Sequence, residues 1–72
     1  MAKQGSGVYR VTEVIGTSAN SWEDAARNAV KTAAKSLRDL RIAEITKLDV
    51  RIEDGKISQF RARLSLSFKY EA

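Results

Sequence analysis

The architecture of this 72-residue chain follows from the stretch "EDGKISQFRARLSLSFKY", residues 53 to 70. Apolar residues occupy the even positions from 60 to 70, and polar residues occupy the odd positions from 59 to 69. Because successive side chains of a β-strand point to opposite faces of a sheet, this alternation predicts a strand with one buried face. The predicted buried face consists of Phe60, Ala62, Leu64, Leu66, Phe68 and Tyr70.

A second run of strand-forming residues, 42–52, comes just before this strand. Asp54 and Gly55 separate the two runs, and an Asp-Gly pair in this position is typical of a two-residue hairpin turn. We therefore expect the second and third strands to form a β-hairpin.

The second strand is less regular than the third. Ala43 and Ile45 have one parity, whereas Leu48, Val50 and Ile52 have the other. Since a continuous strand cannot change parity, the pattern predicts a β-bulge or sharp bend near Thr46 and Lys47.

The first half of the chain predicts a strand followed by a helix. The segment "VYRVTEVIGTS", residues 8–18, is rich in β-branched and aromatic residues. A helix should begin at Ser21, whose side chain can accept a hydrogen bond from the backbone N–H of Asp24. Apolar residues then follow helical spacing as far as Leu40, so the helix is predicted to run directly into the second strand. The predicted apolar face consists of Trp22, Ala25, Ala26, Ala29, Val30, Ala33, Leu37 and Leu40.

These elements define an α+β chain of order β-α-β-β. The simplest sheet places the third strand in the centre, all strands antiparallel, with the helix across one face. We expect residues 1–7 to form a flexible leader and residues 8–72 to form a single domain. At this length only about 60% of the unfolded surface is buried. The chain has no cysteine or histidine for a disulfide or a metal staple, so oligomerisation is the remaining route to stability.

Composition excludes several classes of function. The chain lacks histidine, cysteine and a glycine-rich phosphate loop, which argues against an enzyme. A net charge of +4 is compatible with a small basic nucleic-acid-binding domain. However, the strand-three aromatics share the apolar face with leucines, so nucleic acid is a poor fit. Without a signal peptide or a long apolar run, we expect no membrane association and a cytoplasmic location.

The segments "IGTSANSWEDAARNAV", "LRIAEI" and "FRARLSLSF" resemble the dodecins, small bacterial and archaeal flavin-binding proteins. The resemblance covers the chain from about Val8 to Tyr70. It implies a hollow homo-dodecamer of βαββ subunits that holds ligands at subunit interfaces and acts in storage or sequestration, not in catalysis.

Two positions depart from the flavin-binding pattern of that family. Ile42 occupies the position of the tryptophan that stacks on flavin, and Arg61 occupies that of a flavin-contacting glutamine. Glu44 keeps the family's glutamate, whereas Gln59 is displaced from the glutamine position by two residues, about 7 Å along a strand. Trp22, at the start of the helix, should pack against the sheet. The resemblance is closer to a branch without the tryptophan, described as calcium dodecins, which shares the "SW" helix start and the "GKI" segment.

The sequence therefore leaves the ligand open. The candidate cofactor-binding residues are Ile42, Glu44, Gln59 and Arg61. A cation bound without histidine or cysteine must be a hard one such as Ca²⁺, held by carboxylates. The available carboxylates are Glu13, Glu44, Asp49, Glu53 and Asp54, of which Glu44 and Asp49 are the predicted metal ligands.

The sequence leaves two further candidate ligands besides a cation. A phosphate-bearing molecule could use Arg61, Arg63 or the N–H groups of residues 17–21, although an ordinary capped helix explains the last of these more simply. A weakly held riboflavin or FMN is the other alternative, because Ile42 can bury a ring but cannot stack on it.

Overall fold

The computed structural model describes residues 7–69, which form one helix and a three-stranded sheet. The elements are β1 (Tyr9–Ser18), α1 (Trp22–Ala33), β2 (Leu40–Glu53) and β3 (Lys56–Lys69). The strand order is β1-β3-β2, and both neighbouring pairs are antiparallel. The predicted βαββ fold with the third strand in the centre is confirmed. Residues 1–6 of the predicted leader, and Tyr70 of the predicted buried face, lie outside the described residues.

The turn between β2 and β3 has the predicted two-residue form. Asp54 and Gly55 have φ angles of 52° and 75°, and Glu53 pairs with Lys56 across the turn. Positive φ at both central residues is the requirement of a type I′ turn, which matches the right-handed twist of the strands. The Asp-Gly pair is therefore the local cause of the hairpin.

The core lies between α1 and the side of β3 that carries the even-numbered residues. Its fully buried members are three alanines and two leucines: Ala25, Ala29, Ala62, Leu64 and Leu66. Phe60 and Phe68 belong to the same strand face but are only partly buried. Because alanine contributes little apolar area, this core provides a small share of the burial that a stable domain needs.

Gly16 on β1 allows the helix to approach the sheet closely. A Cβ atom at this position would overlap the carbonyl oxygen of Ala25 and would lie 2.8 Å from the Cβ of Ala29. The first obstacle is backbone, so no side-chain rotation can relieve it. The close approach thus requires glycine on the strand and alanine on the helix.

The helix is shorter than the sequence predicts. It ends at Ala33, and the chain then turns so that Leu40 already lies in β2, opposite Phe68. The reversal places Asp39 at a φ of 54°, a conformation that no helix contains. Leu37 still packs against the core, which explains why apolar spacing continues beyond the last helical turn.

The predicted bulge in β2 is present. The register with β3 shifts between Ile45 and Lys47, so Ile45 and Leu48 both pair with core residues of β3. Each of these two side chains is nevertheless 50% exposed. The reason is that α1 packs mainly over β1 and β3 and covers little of β2. None of the described helical residues forms a segment long and apolar enough to cross a membrane.

Replacing Gly16 with alanine should destabilise the protein by about 1 to 3 kcal/mol, the usual range for an overpacked core site. Urea unfolding followed by circular dichroism measures the loss. Gly7→Ala is the matched control, because its nearest neighbour would be 3.8 Å away, and it should change stability by less than about 0.5 kcal/mol. Equal stability of Gly16→Ala and wild type would contradict this account of the helix–sheet contact.

Candidate functional site

The face of the sheet turned away from α1, here called the outer face, carries the predicted site residues. On β3 it consists of the odd-numbered residues 59 to 67, together with the residues that pair with them on β1 and β2. The predicted residues on it are Ile42, Glu44, Asp49, Gln59 and Arg61. The sheet thus presents every predicted ligand-binding side chain on one surface.

These side chains do not converge within one chain. Ile42 is opposite Ser67, whereas Arg61 is opposite Asp49. Ser67 and Arg61 are six positions apart on β3, which is about 20 Å along a strand. A ligand of ordinary size that contacts both Ile42 and Arg61 must therefore lie between two copies of the chain.

Ile42 lies in an aliphatic part of the outer face. It is 65% exposed, and Val11 on β1, which pairs with the same Ser67 residue, is 63% exposed. These side chains offer apolar surface to a ligand but no aromatic face. The position can bury a flat ring without providing the 0.5 to 1.5 kcal/mol (approximately) that an offset aromatic stack adds.

Arg61 is held by Asp49 on the neighbouring strand. Its Nε donates to Oδ1 of Asp49 at 2.7 Å, and its Nη2 donates to Oδ2 at 3.1 Å. These hydrogen bonds hold the pKa of the Asp49 carboxyl below its ordinary value, and the positive charges of Arg61, Arg63 and Lys47 lower that pKa further. The carboxylate in turn raises the pKa of the Arg61 guanidinium. Both side chains are well exposed, so the pair acts mainly by orienting the guanidinium and adds little stability.

Trp22 connects the start of α1 to the same strand segment. Its Nε1 donates to the backbone oxygen of Asp49 at 3.0 Å. Its ring meets the Phe60 ring edge to face, with centroids 5.2 Å apart. The predicted packing of Trp22 against the sheet is confirmed, and it positions the backbone that carries Asp49.

The predicted metal ligands lie far apart along the strands of the outer face. Glu44 is opposite Ser65 and Asp49 is opposite Arg61, a separation of about 13 Å along β3. No group of three or more acidic, histidine or cysteine side chains within residues 7–69 is close enough to hold a metal ion. Because Ca²⁺ requires six to eight oxygen ligands, a site that includes Glu44 would need several chains.

The start of α1 is a poor phosphate site. The Ser18 hydroxyl accepts hydrogen bonds from the N–H groups of Asn20 and Ser21 and donates to Oδ2 of Asp24 at 2.8 Å. The Ser21 hydroxyl accepts from the N–H of Asp24, which is the predicted cap. The protein's own side chains thus satisfy these N–H groups, and the adjacent carboxylate of Asp24 would repel an anion.

Sequence reasoning missed the contacts around Asp49. Counting back from the Asp-Gly turn places Asp49 opposite Phe60, whereas the structure places it opposite Arg61, because the register shifts between Arg51 and Ile52. The opposite charges of Asp49 and Arg61 were the available signal. The register shift did leave a mark in the sequence: without it, the two-residue turn would place Val50, on the apolar side of β2, opposite the polar Gln59 instead of Phe60.

The fold and the outer face together indicate a class of protein: a small βαββ chain whose sheet has an exposed candidate binding face. They do not identify the ligand. A family model described as Dodecin matches residues 8–71. The calcium dodecin of Mycobacterium tuberculosis is 44% identical over 63 residues, covering 86% of this chain and 87% of that protein. The chain belongs to the dodecin family.

Solved structures of dodecins have the same fold. The structure of dodecin from Streptomyces coelicolor has a TM-score of 0.88 and 42% identity, and the comparison covers 93% of this chain and 96% of that one. The M. tuberculosis calcium dodecin, described as a calcium-chelating antigen with a novel calcium-binding site, has a TM-score of 0.79 and 43% identity over 89% of this chain and 91% of that one. The fold and the family resemblance read from the sequence are thereby confirmed.

The combined substitution Ile42→Trp and Arg61→Gln should raise riboflavin affinity at least tenfold, about 1.4 kcal/mol. The tryptophan adds a stacking face, and the glutamine offers both a donor and an acceptor to the ring edge. Quenching of riboflavin fluorescence measures the affinity of wild type, both single variants and the double variant.

The control for this experiment pairs Arg61→Gln with Ile57→Trp, because Ile57 is a similarly exposed isoleucine near the hairpin turn. This control should bind no better than Arg61→Gln alone. Tight riboflavin binding by wild type would contradict the hypothesis that Ile42 and Arg61 weaken flavin binding. An assembled double variant without any gain would show that positions 42 and 61 do not contact the ligand.

Proposed function

We propose that the protein is a homo-dodecameric, non-catalytic binding or storage protein whose ligand is not flavin, and that a divalent cation such as Ca²⁺ is the first candidate. The observation that carries this proposal concerns the two positions where the family resemblance places the flavin-contacting residues: Ile42 has no aromatic face, and Arg61 is engaged by Asp49. The similarity to relatives named calcium dodecin supports the choice of cation.

The surface of the single chain supports assembly. Its extents are 55 × 20 × 17 Å, and the strand β2 has little helical cover. Among residues 7–69, ten large apolar side chains are exposed: Val8, Tyr9, Val11, Ile15, Trp22, Ile42, Ile45, Leu48, Ile52 and Ile57. Exposed apolar surface of this extent on a chain with so small a core favours burial against further copies.

The acidic residues of the outer face support a cation. Glu13 on β1 and Glu44 on β2 flank Ser65 in the centre of the sheet. If symmetry brings several copies of this row together, the repulsion between their carboxylates is relieved by a hard divalent ion. Glu44 is the better ligand of the two predicted ones, because Asp49 would have to exchange its bonds to Arg61 for bonds to the metal.

A phosphate-bearing small molecule is the second candidate, favoured by the basic residues of the outer face. Flavin remains an alternative only as a weak ligand, for the reasons given above. Binding of nucleic acid is disfavoured because Phe60 packs on Trp22 and Phe68 is also partly buried, so neither presents an open ring for base stacking.

The oligomer proposal predicts a single large species in solution. Size-exclusion chromatography with light scattering at micromolar concentration should give about 96 kDa, the mass of twelve chains of 8.0 kDa. A stable folded monomer or a plain dimer would contradict the proposed assembly.

The cation proposal predicts that Ca²⁺ raises the thermal midpoint of the assembled protein relative to a chelator. A ligand at one hundred times its dissociation constant stabilises the state that binds it by about 2.7 kcal/mol per site. Melts in Ca²⁺, Mg²⁺ and chelator measure the shift, and identical midpoints in all three would refute the proposal.

Variants locate the cation effect. Glu44→Gln should remove most of the calcium-induced shift. Glu23→Gln, which removes one exposed carboxylate from the helix, should retain it. Equal calcium-induced shifts in both variants would show that Glu44 is not a ligand.

A further inference from the structure

We propose that Lys47 and Arg63 form an anion subsite on the outer face, suited to a phosphoryl group. This inference rests on the proposed binding role of the sheet face but not on calcium. It concerns two cations that lie directly opposite each other on β2 and β3.

The backbone brings these two charges together. The register shift between Ile45 and Lys47 turns Lys47 onto the outer face opposite Arg63. The residue that the bulge inserts, Thr46, donates from its hydroxyl to the backbone oxygen of Arg63 at 3.2 Å. The irregularity in β2 is thereby tied to the strand position that carries the second cation.

Two like charges directly opposite each other destabilise a sheet, because their Cβ atoms are only about 5 Å apart. Among residues 7–69 the ion pairs are Asp24–Arg27, Arg51–Glu53 and Asp49–Arg61. None of them uses Lys47 or Arg63. Within residues 7–69 neither cation forms a direct ion pair, although both act electrostatically on Asp49, whose carboxylate is bonded to Arg61.

The groups around the pair leave room for an anion. On the β1 side, the residue opposite Arg63 is the apolar Ile15. Asp49, on the neighbouring row, is already engaged by two hydrogen bonds from Arg61. The remaining carboxylates nearby are Glu13 and Glu44, one row further along the strands.

The geometry favours a dianionic oxyanion. A guanidinium presents paired N–H groups that match two oxygens of a phosphoryl group, and the lysine ammonium adds a point charge to a third. Because Arg63 is partly buried and flanked by Ile15, its bonds to a ligand are screened by water less than those of a fully exposed side chain. A single carboxylate would neutralise only one of the two cations.

Titration calorimetry on the assembled protein tests the subsite. Inorganic phosphate and phenyl phosphate are titrated in separate arms, in chelator and at matched ionic strength, with chloride as the reference. The Lys47→Gln/Arg63→Gln variant should bind both phosphates at least tenfold more weakly than wild type. The Arg27→Gln/Lys31→Gln variant removes the same charge from the helix and should change the affinity less than twofold.

The two arms distinguish the sources of the phosphoryl group. Equal affinity for both compounds assigns the subsite to free phosphate, whereas tighter binding of phenyl phosphate assigns it to an organic phosphate that also uses the apolar part of the face. Because chelator is present throughout, a failure of the calcium proposal leaves this result unaffected. Absent phosphate binding by wild type, or equal losses in the two double variants, would overturn the proposal.

The oligomeric mass of the two double variants is a second test of the subsite. If the Lys47→Gln/Arg63→Gln variant no longer assembles while the Arg27→Gln/Lys31→Gln variant does, a carboxylate of a second copy neutralises the pair. That result would also overturn the proposal.

Discussion

The close contact between α1 and β1 is the constraint on which the rest of the structure depends. Because Gly16 and the alanines of the helix leave almost no distance between the two elements, the helix covers β1 and β3 closely and covers little of β2. The same small side chains limit the apolar area that the core can bury. The small but closely packed core and the exposure of β2 thus have the same cause, which is the close contact between α1 and β1.

This division explains why the candidate binding residues lie where they do. The residues of β2 and the odd-numbered residues of β3 contribute little to the core, so their side chains can vary without unfolding the chain. The outer face can therefore vary in its chemistry while the fold of the family is retained. Under the proposed function, the fold depends on the side of the sheet that faces the helix, and the ligand depends on the opposite side.

Sequence periodicity predicted most of the fold because its elements carry strong local signals. The alternation of residues 59–70, the Asp54-Gly55 turn and the Ser21 cap each act through near neighbours, and the structure contains the corresponding strand, hairpin and helix start. The helix end was wrong because Leu37 packs on the core from a turn, and apolar spacing cannot distinguish a turn from a last helical turn.

The site was harder to predict than the fold, because its contacts depend on register. The bulge near Thr46 was visible as a change of parity within one strand, whereas the shift between Arg51 and Ile52 shows only when the parities of the two strands are compared across the turn. Only this second shift brings Asp49 opposite Arg61.

The side chains of the outer face form rows across the strands, and neighbouring rows differ in charge. Ile42 and Val11 give an apolar row, Glu13 and Glu44 give an acidic row, and Lys47 and Arg63 follow as a basic row. Neighbouring rows are about 7 Å apart, roughly the reach of a long side chain or a small ligand. A flat uncharged ring uses only the first of these rows, whereas a cation or a phosphoryl group uses the second or the third. Under the proposed function, the aliphatic side chain of Ile42 and the charged rows beside it favour the same expectation, that this surface selects ligands by charge more than by aromatic stacking.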